Sequence, residues 1–157
     1  MGNFFHENTL VANKNEPFSR RLGFEPQDRE IRVRNEHLEA SGRPTAAQEI
    51  HQTLQDLSRR PDPDITGAVQ HGMAALECVA REATGDPKPT LGEILKRNPD
   101  LLPKPLDQSI EKAWGYASEM GRHVREGRTP SVEEAELVVG LCASVSDYLV
   151  KKIGAKK

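Results

Sequence analysis

The chain has 157 residues, 36% of them apolar and 29% charged, with a formal net charge of −2. That length suits one domain with a sizeable core and falls short of what usually implies two. The nearly balanced charge excludes a global positive field, so any contact with nucleic acid has to use a local basic patch.

Read from its start, the chain divides into residues 1–60, an irregular segment with one helix, and residues 61–157, a helical bundle. Residues 1–16 show no hydrophobic period. The opening MGNFFH carries His6 where a myristoylation signal wants Ser or Thr. There is no basic stretch followed by a hydrophobic one, and no apolar run of membrane-spanning length. These features predict a cytoplasmic protein without membrane contact. In REIRVRN, Ile31 and Val33 are spaced as in a strand or extended arm. TAAQEIHQTLQDLSRR reads as a helix with Thr45 as N-cap, because Ala47, Ile50, Leu54 and Leu57 recur at helical spacing. The break falls in RRPDPDI, from Arg59 to Ile65.

The remainder is more regular. Between Thr66 and Thr84, residues Val69, Met73, Leu76, Val79 and Ala80 form one apolar stripe, and Gly85 supplies the stop. A short helix opens at Thr90 with Glu93 three residues on, as in a capping box. Pro99, Pro103 and Pro105 then hold off the next helix until Leu106. From there Leu106, Ile110, Ala113, Ala117, Met120 and Val124 recur by fours and threes. The last helix follows Ser131 in a second capping box, with Leu137, Leu141, Val145 and Tyr148 as its core face. With no strand pattern in this half, the expected fold is all-α, an antiparallel up-and-down bundle.

Few residue patterns point to chemistry. The five histidines, His6, His37, His51, His71 and His123, form no HExxH or comparable ligand spacing, so no metal site is predicted. The phosphate-cradling glycine motifs are missing too, and no cofactor is expected. Cys78 and Cys142 stand apart from each other and from any CxxC, and read as buried thiols in a reducing compartment. Glu77 borders the apolar stripe and reads as a partner for Arg81 or Lys112 rather than as a catalytic carboxylate. One stretch stands out: Arg122 and His123 are adjacent, with Arg125 and Arg128 close behind. Imidazole moves protons near neutrality and a guanidinium neutralises a phosphate, the two functions that metal-free RNA cleavage requires. The same side chains also complement the dipole at a helix C-terminus. Trp114 lies beside small residues that include Gly115, Ser118 and Gly121. It reads either as part of a dimer interface or as a cap on the bundle against Leu101 and Leu102.

Four stretches, AALECVAR, TLGEIL, WGYASEMGRH and EEAELVVGLCASVSDYL, together resemble the HEPN superfamily, and most of all the helical domains of AbiJ-like abortive-infection proteins. The likeness covers roughly the last ninety residues. It implies a HEPN-like bundle that forms a homodimer, and a metal-independent endoribonuclease acting as a toxin or antiphage effector. In that family an arginine and a histidine separated by a short spacer form the site at the dimer seam. Matched to this chain they are Arg122 and His123, here without the spacer. Tyr116, Arg125 and Arg128 are then substrate-binding residues, and Trp114, Gly115 and Ser118 the dimer contact. RNA, an antitoxin or another defence-system protein are the implied partners. The alternative is a non-catalytic HEPN-like module that binds RNA or a protein.

Overall fold

A computed structural model of the chain describes residues 26–122 and 129–155. They form six helices and no strand: α1 (Pro26–Ala40), α2 (Pro44–Ser58), α3 (Ile65–Thr84), α4 (Leu91–Arg97), α5 (Leu106–Arg122) and α6 (Val132–Gly154). The fold is an all-α bundle. None of the described helices is long and apolar enough to cross a membrane.

Helix α3 is the centre, with α2 and α6 packed along it and α4 and α5 also against it. Helix α1 lies across α2 and α6. Small residues allow the closest approach. Ala46, Ala47, Ala68, Ala75 and Ala80 are buried, and a Cβ on Gly72 of α3 would meet Val139 and Cys142 of α6 at ordinary contact distance. Around them Ile50, Leu76, Leu91, Ile94 and Leu149 fill the core.

Local signals set most boundaries. The Asp64 carboxylate accepts from the Gly67 backbone at 2.8 Å and starts α3, and Gly85 ends it in the left-handed conformation at φ 74°. Thr90 with Glu93 and Ser131 with Glu134 form the two expected capping boxes. Hydrogen bonds from Thr90, first from its backbone and then from its hydroxyl, hold the Glu93 carboxyl below its usual range. Glu77 is bound to Arg81 at 2.6 Å. Its other oxygen accepts from the Leu91 backbone at 2.8 Å, so the carboxylate borders the core as a second cap for α4.

Five expectations are corrected. Residues 29–35 are helical rather than extended, because Ile31, Asn35 and Leu38 form one buried stripe with helical period while Val33 is exposed. Two helices therefore precede residue 60, and both contribute to the same hydrophobic core as α3–α6. Thr45 is not the N-cap of α2: Arg43 holds that place without a side-chain cap, and Pro44 occupies the first helical position. On α6 the buried face is Ala135, Val138, Val139, Cys142, Ala143, Ser146, Leu149 and Val150. Leu137 and Tyr148 point outward. The face is rotated toward smaller residues because α3 comes so close at Gly72. Leu106 is likewise exposed, and the core face of α5 begins at Ile110.

Candidate functional site

The basic stretch belongs to the connection between α5 and α6. Arg122 is the last residue of α5. Its side chain, together with His123, Arg125 and Arg128, lies outside the described residues. What can be described is how the two flanking helices meet. The half-buried Tyr116 donates its hydroxyl to Glu134 Oε2 at 3.3 Å. The same oxygen accepts from the Ser131 backbone at 2.8 Å, closing the capping box of α6. One carboxylate thus joins the C-terminal half of α5 to the first turn of α6. With its hydroxyl engaged, Tyr116 anchors α5 to the first turn of α6.

The proposed dimer contacts divide. A Cβ added at Gly92 of α4 would lie 3.0 to 3.2 Å from three atoms of the Trp114 ring. The indole is therefore seated on α4 of its own chain, on Gly92 rather than only on the leucines that follow. Gly115 faces open space, and Ser118 is half-buried.

A second polar group joins α2 to α3 and was not singled out from the sequence. His71 Nδ1 lies 2.6 Å from Glu49 Oε2, and its Nε2 lies 3.7 Å from Asp56 Oδ2. The Asp56 side chain is only 4% exposed. Its Oδ1 accepts from Gln52 at 3.0 Å, while Oδ2 has no hydrogen-bond partner among the described residues. Thr53 adds a bond from its hydroxyl to the Ala68 carbonyl at 3.3 Å. Glu49, Gln52, Thr53 and Asp56 stand at i, i+3, i+4 and i+7, so a polar helical stripe was there to be read beside the apolar one. His71 Nδ1 is engaged by Glu49 of the neighbouring helix, while Nε2 lies beyond hydrogen-bond distance of Asp56. The arrangement clamps two helices.

A third histidine contact has the same character. His37 Nδ1 meets Asp147 Oδ1, and Lys151 donates to the other oxygen of Asp147 at 2.7 Å. Burial on its own raises the Asp147 carboxyl; the hydrogen bonds and charges of Lys151 and His37 outweigh it and bring the carboxyl below its ordinary value. Both cysteines are free thiols. Burial pushes Cys142 up to about 12 and raises the half-buried Cys78 as well, with the Glu49 charge adding to the latter. Neither is tuned toward a thiolate. No family model, curated protein or solved structure matches the chain.

Proposed function

We propose that this protein is a metal-independent endoribonuclease of the HEPN type, a homodimeric cytoplasmic effector of the toxin or abortive-infection kind. His123 moves the proton of the RNA 2′-hydroxyl as that oxygen attacks phosphorus. The bond to the 5′-oxygen breaks, leaving a 2′,3′-cyclic phosphate and a protonated 5′-hydroxyl. Arg122 neutralises the charge that builds on the phosphorane, and Arg125 and Arg128 hold the flanking phosphates. Tyr116 is a positioning residue. The observation that supports this reading is the Tyr116–Glu134 bond at 3.3 Å, which ties together the two helices that flank the Arg–His stretch in sequence. A site that must place two groups on one phosphate benefits from such a fixed base.

One observation favours the second reading, a non-catalytic module that binds RNA or a protein partner such as an antitoxin. Arg122 and His123 are immediate neighbours, and consecutive helical positions diverge by about 100°. Incubating the protein with total RNA in EDTA separates the two. A nuclease cleaves, and His123→Ala loses cleavage while keeping its far-ultraviolet circular dichroism. RNA retained by the wild type but left intact supports the binding module, and cleavage unchanged in His123→Ala refutes the assigned mechanism.

A further inference from the structure

Asp56 Oδ2 is a buried carboxylate oxygen without a donor. Its side chain is only 4% exposed, and the oxygen has no hydrogen-bond partner among the described residues. Leaving a buried anionic oxygen in that state is costly. It faces His71 Nε2 across 3.7 Å, too far for a hydrogen bond.

Glu49 fixes what that nitrogen offers. Its Oε2 lies 2.6 Å from His71 Nδ1, a contact that draws the ring proton to Nδ1 and leaves the lone pair of a neutral imidazole on Nε2. Two acceptors, one neutral and one anionic, then stand across the gap. An imidazole backed by a carboxylate in this way has the orientation and basicity of a metal ligand.

The surrounding backbone holds both sides in place. The Asp56 carbonyl accepts from the amides of Arg59 at 3.4 Å and Asp64 at 3.0 Å, so the turn from α2 into α3 is tied to this residue. A Cβ at Gly67 would stand 3.0 Å from Asp56 Oδ2 and 2.8 Å from Asp64 Oδ2. Glycine there lets the first turn of α3 pass close to both carboxylates. Arg59 lies 3.6 Å from Asp64 Oδ2 and pairs with that carboxylate.

We propose that His71 Nε2 and Asp56 Oδ2 together take up one divalent transition-metal ion of the zinc class, which pins α2 to α3. Ion–ligand distances of about 2.1 Å and a tetrahedral angle require the two atoms to stand about 3.4 Å apart. Small side-chain rotations bring the 3.7 Å gap to that value. A nitrogen and a carboxylate oxygen suit zinc, whereas magnesium and calcium take oxygen alone. No group of three or more His, Cys, Asp or Glu side chains converges on one point among the described residues. Water therefore fills the other positions, reached past an imidazole that is 39% exposed. Such a site binds more weakly than a closed one with four protein ligands.

The ion takes no part in the RNA step, so zinc binding and cleavage in EDTA are read separately. Isothermal titration of the full chain with zinc chloride, in a buffer that does not chelate, tests the proposal. One ion binds per chain. His71→Gln and Asp56→Asn each weaken binding at least tenfold, Glu49→Gln weakens it by about 10–100-fold, and His37→Gln leaves it unchanged. Circular dichroism checks that each variant is folded. Nitrogen resonances of the histidine rings give the same answer in the wild type without any substitution: excess zinc moves Nε2 of His71. A wild type whose His71 ring does not respond to zinc, or binding undiminished in folded His71→Gln or Asp56→Asn, overturns it.

Discussion

Leu76→Ala is expected to lower the free energy of unfolding by roughly 3 kcal/mol. Leu76 is 1% exposed and sits midway along α3, the helix that α2, α4, α5 and α6 all touch. Truncation removes the transfer free energy of three carbons and leaves a cavity, and the packed helices around α3 cannot move in from every side to close it. Against a typical domain stability of about 5–15 kcal/mol the variant stays folded but with a much lower denaturant midpoint. Urea unfolding of the two proteins, with unchanged slope, provides the measurement. A loss under about 1 kcal/mol would show that α3 is not the packing centre.

Gly92→Val is expected to cost about 2–3 kcal/mol and to shift the tryptophan emission. The added Cβ alone would stand 3.0 Å from Cζ3, 3.1 Å from Cη2 and 3.2 Å from Cε3 of Trp114. An indole ring does not bend, so either α4 lifts or the ring is displaced. Helix α4 resists lifting because Glu77 and the Thr90–Glu93 box both hold its first turn. Valine brings the added branch without the helix-propensity gain that alanine has over glycine. The chain has one tryptophan, so its fluorescence reports this contact alone. A red-shifted maximum is expected at once, before any denaturant is added. An emission spectrum identical to the wild type would refute the seating of Trp114 on α4.

The helices that could be read from the sequence are those whose ends are encoded locally. Asp64, Gly85, the Thr90–Glu93 and Ser131–Glu134 boxes and the prolines before Leu106 each satisfy or remove backbone groups within a few residues. Faces were harder, because what covers a residue is decided by another helix. Leu137, Leu141, Val145 and Tyr148 have the size and spacing of a core face, yet Ala135, Val139, Cys142 and Ser146 are inside, since α3 presents Gly72 there. Ile31 and Val33 suggested a strand only because Asn35, the middle of the true helical stripe, is polar. At the candidate site, Arg122 and His123 were visible as residue types. The Tyr116–Glu134 bond joins positions 18 apart and needed the fold to be seen. The polar stripe Glu49, Gln52, Thr53 and Asp56 was present in the sequence. Its histidine partner lies 22 residues beyond Glu49, on the next helix.

Cys142 gives the bundle a built-in clock. Its thiol is 1% exposed between α6 and α3 and stays protonated well above neutrality. An alkylating reagent can reach it only after those two helices part, whereas Cys78 is half-open in the folded chain. The slow labelling of Cys142 is therefore a direct count of how often the centre of the molecule comes open, made by a side chain that needs no engineering.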